Sequence, residues 1–384
     1  MEAKELENRM PSSWIEIDLA ALRHNCREAA RRLGERTAMV GVVKSDAYGH
    51  GMVPVSRELA ACGAKFLAVS KYWEARELRS AGIGVPIIVL LGLEREDVED
   101  ALCEEVRPVI FRIDHARMIS ETALGLGRRA MVHVKVDTGM GRLGVPWEDI
   151  ASFLDEASLL PGLEIEGVLS HFAAADEADK AYCHDQLRCF QSVLETFRER
   201  GIPVPYAHIS NSAGVLDLPH AHFQLVRPGI MLYGSQPSSE LLQPGDLRPV
   251  MTFKSRILQL KSMSGGRPIG YGRTYMTPRP SKVATIPVGY DDGYSRRLSN
   301  RGVVLVRGHR APVVGRVSMN MITVDVTHIP DVQPDDEVVL LGRQGGERIA
   351  AEEIADLCDT ISYEIYCNFG KNRHKFFMGG VEGL

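Results

Sequence analysis

The chain has 384 residues, more than one average domain, and an ordinary globular composition with 45% hydrophobic and 25% charged residues. The formal net charge of -5 gives no reason to expect nucleic acid or an anionic membrane as a partner. The longest apolar run, 85–93, is too short to span a bilayer, and the charged segment 1–9 lacks the apolar core of a signal peptide, which favours the cytoplasm. The seven cysteines show no CxxC spacing, so we expect neither a zinc site nor a disulfide framework.

From residue 38 onwards, short β-branched runs alternate with helical stretches. The runs predicted as strands are 39–43, 66–69, 86–91, 106–111, 131–136, 163–169, 206–209 and 223–226. Eight strand–helix units in this length predict a (β/α)8 TIM barrel. An open doubly wound sheet is the alternative, but no GxGxxG fingerprint follows the first predicted strand.

The character of the sequence changes after residue 234. Residues 235–248 are rich in Ser, Pro and Gly and are interpreted as a linker. Short alternating segments then predict strands at 253–260, 282–287, 302–306, 311–317, 321–326 and 337–341, and a helical pattern returns only near 351–357. We therefore expect a barrel domain over residues 13–240 and a mostly-β C-terminal domain over residues 246–384.

Chemically informative motifs follow the carboxyl ends of the predicted barrel strands, where barrel enzymes carry their chemistry. They are Lys44 after strand one, 135–142 after strand five, 170–172 after strand six, 208–212 after strand seven and 227–230 after strand eight. A strand-end lysine can form Schiff bases with carbonyl compounds. The loops after strands seven and eight hold phosphate in many barrels. The Ser212 hydroxyl and the N–H groups of Gly229 and Ile230 suit that purpose, although most Arg-Pro-Gly tripeptides are only turns.

The run VVKSDAYGHG at residues 42–51 resembles the cofactor-lysine motif of the alanine racemases, which use pyridoxal phosphate (PLP). The later motifs match the same family in the same order. The resemblance implies that PLP is bound on Lys44 and that the strand at 14–18 joins the second domain. The implied cofactor-binding residues are Lys44, Tyr48, His171, Asn211, Ser212, Arg227, Gly229 and Ile230.

The resemblance also gives roles to individual side chains at the carboxyl ends of the barrel strands, which we call the rim. Arg227 would donate a hydrogen bond to the pyridine nitrogen of PLP and leave it largely unprotonated, because arginine holds its proton tightly. Arg142 would lie near the substrate carboxylate and the cofactor phenol oxygen. Lys135 matches a position that is carbamylated in relatives, and an unmodified structural lysine is the alternative. His171 and His208 would support these groups by hydrogen bonds, and no metal is expected.

Racemisation needs a proton removed from one face of Cα and returned on the other. The resemblance makes Lys44 one base and Tyr271, in Gly-Tyr-Gly-Arg, the other, reaching across from the partner subunit of a homodimer with shared active sites. On spacing alone Tyr271 could be a hairpin aromatic between two glycines. The resemblance further places Tyr290 at the active-site entrance, the backbone N–H of Met319 at the substrate carboxylate, and Arg316 in the access corridor.

Two positions depart from the family pattern and concern substrate choice. Asn320 replaces a common aspartate, and Lys371 stands where relatives have a tyrosine near the phosphate. The expected substrate is a small amino acid, with L- and D-alanine as the leading pair and D-alanine supplied to the cell wall. The alternatives are a broad-specificity, serine or basic amino-acid racemase, a PLP-dependent decarboxylase, and a non-catalytic PLP-binding protein. The decarboxylases carry a catalytic cysteine motif in their second domain, which this sequence lacks.

Overall fold

The computed structural model describes residues 11–372 and 374–380. Contacts divide the chain into two compact units. The barrel unit comprises residues 22–47 and 52–248, and the β unit comprises the described residues up to 21, residues 48–51 and those from 249 onwards. No helix in the described ranges is both long and apolar enough to cross a membrane.

The barrel unit is a nearly closed barrel of eight parallel strands, counted over the described residues. The first strand pairs in parallel with the second and also with the eighth, and Arg227 N–H reaches the Ser210 carbonyl at 2.9 Å where the seventh and eighth strands meet. The strands are Ala38–Val42, Phe66–Val69, Ile87–Val89, Val106–Ile110, Ala130–Asp137, Leu163–Leu169, Tyr206–His208 and Leu225–Val226. A short strand, Val145–Pro146, pairs with the fifth.

Some barrel strands are apolar throughout, as expected of parallel strands covered by helices, whereas Ala130–Asp137 and Leu163–Leu169 also carry charged residues. All four residues of Phe66–Val69 are buried, for example. The α-helices that follow the strands are Met52–Ala61, Tyr72–Ser80, Val98–Cys103, Ile113–Gly125, Ile150–Ala157, Ala181–Glu199 and Ser212–Asp217. A further helix, Leu19–Arg31, precedes the first barrel strand. The predicted TIM barrel is confirmed.

The β unit has three sheets among its described residues. The largest has strands in the order His309–Pro312, Val303–Val306, Glu337–Gln344, Met251–Arg256, Ser13–Asp18 and Lys375–Met378, with Glu347–Ile349 paired to Glu337–Gln344. A second contains Gln259–Met263, Ser281–Ile286 and Ile322–Asp325, and a third pairs Pro268–Ile269 with Tyr275–Met276. Strand Ser13–Asp18 lies antiparallel to Met251–Arg256 and parallel to Lys375–Met378.

Three expectations for this unit were wrong. The single strand expected at 253–260 is two strands, Met251–Arg256 and Gln259–Met263, which belong to different sheets. The strand expected at 311–317 ends at Pro312, and beyond it only Val313 makes an isolated bridge, to Val324. Two helices stand where one was expected: Ala351–Cys358 and Ser362–Phe369. The second helix is short and rich in aromatic and β-branched residues, which have modest helix propensity. Its buried face, which includes Ile365, is therefore what stabilises it.

Candidate active site

Lys44 lies two residues beyond the first barrel strand, at the start of an unusual turn. The next four residues all have positive φ, from 53° to 56°, which forms a left-handed helical turn of L-residues. Such backbone costs about 1–2 kcal/mol per residue relative to the right-handed form. Backbone held in unfavourable regions is concentrated at functional sites. The sequence predicted a turn here but not its hand.

The buried carboxylate of Glu74 holds this turn through hydrogen bonds. Glu74 accepts the Ser45 N–H at 2.6 Å through one oxygen and the Ser70 and Lys71 N–H groups at 2.7 and 3.1 Å through the other. Asp46 accepts the N–H of Met52, the first residue of the next helix, at 2.7 Å. These charge-assisted bonds hold the backbone that carries Lys44.

Three positive side chains lie near Lys44 on the rim. Burial, reinforced by the charges of Arg227 and Arg142, lowers the pKa of Lys135 to about 7, and Lys44 contributes in the same direction. Arg142 is exposed on the turn that follows the fifth strand. This concentration of positive charge favours an anionic ligand.

Arg227 is buried and makes most of the polar contacts of the rim. Its Nη1 donates to His208 Nδ1 at 2.8 Å and to the His208 carbonyl at 3.0 Å. Its Nη2 donates to the Ser170 carbonyl at 2.6 Å, to His171 Nδ1 at 3.0 Å and to the Ile209 carbonyl at 3.2 Å. Burial lowers the pKa of Arg227 to about 9. Burial, with the Arg227 charge, also keeps the pKa values of His171 and His208 well below their ordinary value.

Ser212 joins the loops that follow the seventh and eighth strands. Its Oγ accepts the N–H groups of Gly229 at 2.8 Å and Met231 at 3.4 Å. Since a serine hydroxyl also has one proton to donate, that proton is available to a ligand. The side chain of Asn211 caps the short helix Ser212–Asp217 by accepting the Gly214 N–H at 3.0 Å. Ile230, which follows Gly229, is buried at the start of a 3-10 turn.

Tyr48 belongs to the β unit and is buried there. Its ring lies 5.9 Å from the Tyr363 ring, centroid to centroid. Burial, with the neighbouring Tyr363, raises the pKa of its phenol above the ordinary value, so it stays a hydrogen-bond donor at neutral pH. Gly49, which follows it, has φ of 81°, and a Cβ there would lie 2.5 Å from the Tyr366 carbonyl oxygen.

Tyr271 stands on the surface of the β unit with 70% of its area exposed. It occupies a tight turn between Gly270 and Gly272, whose φ values are 68° and 69°. The Arg316 backbone packs against Gly270, and the Arg316 guanidinium lies 3.3 Å from where a Gly272 Cβ would stand. The turn therefore presents the phenol outwards.

Tyr290 and Met319 come together on the same unit through backbone contacts. The N–H of Tyr290 donates to the Ser318 carbonyl at 3.1 Å, and that of Asp291 donates to the Met319 carbonyl at 3.0 Å. Asn320 Nδ2 donates to Asp291 Oδ2 at 3.3 Å. We call residues 270–273, 289–293 and 315–321 the loop cluster. Its exposed large hydrophobic side chains are Tyr271, Tyr290, Met319 and Met321.

Lys371 lies outside the loop cluster's backbone contacts. Its Nζ donates to Asn368 Oδ1 at 3.0 Å, and the side chain is exposed. Across the described residues, no group of three or more His, Cys, Asp or Glu side chains could hold a metal ion.

Three supporting residues were not predicted from the sequence. They are Glu74 below the lysine turn, and His133 and Glu166 in the barrel interior behind His208. Glu74 stands at the third position of its helix, so a capping role could have been inferred from spacing. The other two lack a sequence signal, since they depend on how neighbouring strands are registered.

A barrel with a lysine turn after the first strand, a buried serine that links the loops after the seventh and eighth strands, and a buried arginine after the eighth is typical of a class: the TIM-barrel enzymes that hold a phosphorylated cofactor on lysine. The alanine racemase N-terminal domain model matches residues 17–237, and the C-terminal domain model matches residues 250–377. The alanine racemase of Syntrophobacter fumaroxidans is 64% identical over 372 residues, which cover 97% of this chain and 99% of that protein.

Solved structures of alanine racemases have the same fold as this chain. That of the Clostridium difficile alanine racemase has a TM-score of 0.91 at 36% identity and covers 96% of both chains. The Bartonella henselae structure, described with covalently bound pyridoxal phosphate, has a TM-score of 0.85 at 28% identity and covers 96% of this chain and 100% of that one. The chain belongs to the alanine racemase family, whose members are PLP-dependent isomerases.

Proposed function

We propose that the chain interconverts L-alanine and D-alanine by a two-base mechanism, with Lys44 acting on one face of Cα and Tyr271 of the partner subunit on the other. The observation that carries this proposal is the exposure of Tyr271, 70% of whose surface is open on a glycine-held turn. A phenol presented in this way is available to a site completed by a second chain. The relatives named alanine racemase supply the expected substrate.

The rim fits PLP. The Ser212 hydroxyl, fixed by two N–H donors, can donate its proton to a phosphate oxygen, and Tyr48, Asn211, Gly229 and Ile230 complete the expected surroundings. When bound on Lys44, the cofactor supplies an electron sink that makes the Cα proton of an amino acid removable.

Arg227 suits the ring nitrogen of the cofactor. Its hydrogen bonds to the described residues use Nη1 and Nη2, so Nε is the donor left to face a ligand. With a pKa of about 9 it keeps its proton at neutral pH and donates a hydrogen bond without protonating the nitrogen. The electron sink is then weaker, and the proton returns to Cα.

Lys44 and Tyr271 of the partner subunit perform the proton transfers. Each side chain takes a proton from Cα in one direction of the reaction and returns one in the other. Arg142 and the Met319 N–H would hold the substrate carboxylate, and Tyr290 and Arg316 would line the access route. Lys135, as a carbamate or an unmodified lysine, and His208 would fix Arg142 and Arg227 respectively.

The assembly would be a homodimer with two shared sites. Exposed aromatic and methionine side chains, such as those of the loop cluster, are the kind of surface that another chain covers. Domain bounds at 13–240 and 246–384, a cytoplasmic location and the supply of D-alanine to the cell wall stay predictions.

Mixed dimers test the sharing of the site. Lys44→Ala and Tyr271→Phe are each expected to be inactive as homodimers. A hybrid dimer has one site with both wild-type bases and one site with neither. Random pairing of equal amounts should therefore restore about a quarter of wild-type activity. No recovery after subunit exchange, with hybrids verified by mass spectrometry, would show that both bases come from one chain.

A panel of L-amino acids, read by chiral chromatography, tests the substrate. We expect alanine to turn over faster than serine, lysine or arginine. Asn320 donates a hydrogen bond to Asp291, so a carboxylate lies beside the position that departs from the family pattern. Equal turnover of serine or a basic amino acid would favour a broad-specificity racemase and direct attention to Asn320 and Lys371.

A further inference from the structure

A chain of hydrogen bonds runs through the barrel interior behind Arg227. His208 receives the Arg227 Nη1 bond on Nδ1, and its Nε2 lies 3.0 Å from His133 Nδ1. His133 Nε2 lies 3.3 Å from Glu166 Oε2, and Arg107 Nε donates to the same oxygen at 3.4 Å. Both histidines are fully buried, and Glu166 is nearly so. This series of hydrogen bonds connects Glu166, in the sixth barrel strand, to Arg227 on the rim.

The direction of every bond in this chain is determined. Arginine has no acceptor, so His208 Nδ1 must accept. Since His208 is held neutral by burial, its proton is on Nε2, which donates to His133 Nδ1. His133 Nδ1 accepts that bond, so the proton of His133 is on Nε2, which donates to Glu166 Oε2. Three donors therefore point one way, from Arg227 to Glu166.

Two local features of the sequence build this arrangement. The register shifts between Val132 and His133, so that Val132 faces Ile165 while His133 faces Gly167, and Glu166 is the extra residue of a β-bulge. A bulge re-aims a side chain, and this one points Glu166 inwards. At Gly167 a Cβ would stand 2.4 Å from His133 Nδ1, so the absence of a side chain there makes room for the ring.

Glu166 is the anion that ends the chain. Burial raises its pKa, but the hydrogen bond from His133 and the charge of Arg107 outweigh this, and the net pKa lies below the ordinary glutamate value. No ion pair joins Arg227 to a carboxylate within residues 11–372 and 374–380. The nearest negative charge connected to it by hydrogen bonds is thus that of Glu166, two imidazoles away.

We propose that Glu166 and His133 are positioning residues for Arg227: they fix the tautomer of His208 and thereby keep the arginine oriented towards the cofactor. This inference rests on the proposed role of Arg227 at the cofactor ring. If the anion were removed, His133 could move its proton to Nδ1 and donate to His208. His208 would then carry its proton on Nδ1, opposite an Arg227 N–H, and two donors would face each other.

The test compares Glu166→Gln with the wild-type holoenzyme. Long-range proton–nitrogen NMR of histidine-labelled protein reports which nitrogen of His133 and His208 carries the proton, with assignment by single histidine replacements. The visible absorbance of bound PLP and kcat in both directions report on Arg227. Glu164→Gln, exposed two residues earlier on the same strand, is the matched control, and Glu166→Asp, which keeps the charge, should recover most of kcat.

We expect wild-type protein to show Nε2–H on both histidines. E166Q should lose this single tautomer at His208, change the cofactor absorbance and lower kcat about tenfold, the equivalent of one hydrogen bond. Unchanged tautomers in E166Q, whatever happens to kcat, would overturn the proposal. So would a changed tautomer with kcat and absorbance within about twofold of wild type.

Two further variants keep the result decisive. If E166Q does not fold, His133→Phe breaks the same chain with an apolar ring of similar size, and the same criteria apply to His208. Arg227→Lys separates this inference from the proposed function. If that variant alters neither absorbance nor kcat, the role of Arg227 is wrong, whereas the NMR result still decides whether the hydrogen-bond chain exists.

Discussion

The barrel rim and the loop cluster differ in how their polar groups are satisfied. On the rim, Arg227, His208 and Ser212 are buried and held by hydrogen bonds within their own unit. In the loop cluster, backbone hydrogen bonds among the described residues hold Tyr290 and Met319, two glycines flank Tyr271, and all three side chains are exposed. The rim is preorganised by one chain, and in the proposed homodimer a second chain would cover the loop cluster. Changes on the rim should therefore affect chemistry directly, and changes in the loop cluster should act through association.

The largest effect is expected from Lys44→Ala. Loss of the amine removes both the cofactor attachment and one base, so racemisation should fall at least about 1,000-fold. Borohydride reduction of the wild-type holoenzyme should fix a pyridoxyl group on the Lys44 peptide, as read by mass spectrometry. A pyridoxyl group found on another lysine would show that the cofactor does not bind at Lys44.

The next largest effect is expected from Met321→Glu, which changes the loop cluster. A charge placed on a surface that a partner covers should weaken the dimer roughly 10- to 100-fold and make activity depend on protein concentration. Leu159→Glu, at a more exposed apolar position of the barrel unit, is the control. Sedimentation velocity measures both variants, and equal behaviour of the two would contradict a partner surface at the loop cluster.

Ser212→Ala tests the preorganised rim with a smaller change. It removes the acceptor for the Gly229 and Met231 N–H groups and the donor proposed for the phosphate. PLP affinity should fall about tenfold, as for one hydrogen bond to a charged group. Fluorescence titration of the apoprotein measures it, with the exposed Ser192→Ala as control. Unchanged affinity would place the phosphate elsewhere.

The smallest change concerns one proton on Lys135. Its folded-state pKa of about 7 lies below the ordinary lysine value, so the amine is neutral above pH 7 and protonated below it. Only a neutral amine adds carbon dioxide. A carbamate signal in carbon-13 NMR with labelled bicarbonate should therefore appear as pH rises through about 7 and be absent in Lys135→Arg. Its absence at all pH values would leave Lys135 an unmodified lysine.

The lowered pKa of Lys135 also makes the free energy of unfolding depend on pH. Above pH 7 the unfolded chain still protonates this lysine, up to its ordinary pKa, while the folded chain does not. The unfolded state then binds more protons, so the contribution of Lys135 to the free energy of unfolding rises with pH across that window.

The barrel could be predicted from sequence because short β-branched runs recur between helical stretches, and some of these runs are wholly buried, as Ile87–Val89 illustrates. Strand ends were less certain, since Ala38–Val42 and Leu225–Val226 each differ from the predicted bounds. Strand Lys375–Met378 was missed, because its place is set by pairing with Ser13–Asp18 at the other end of the chain. Local pattern does not reveal such a partner.

The rim residues could be predicted from motifs at the strand ends, but the buried residues that support Arg227 could not. Lys44 and Arg227 are recognisable by residue type and position. Glu166 reads as an ordinary charged residue of an alternating strand, and only the bulge beside Gly167 directs it inwards. His133 likewise lies within a strand run that predicts only core packing.

The left-handed turn after Lys44 limits which sequences this loop can accept. Proline is excluded from positive φ by its ring, β-branched residues such as valine and isoleucine rarely adopt it, and glycine, asparagine and aspartate tolerate it best. The sequence Ser45-Asp46-Ala47 complies with that limit. A randomised library across these positions should therefore return a narrow set of survivors rich in glycine, asparagine, aspartate and serine. The mutational tolerance of this loop is thus set by backbone handedness before any contact with a cofactor is considered.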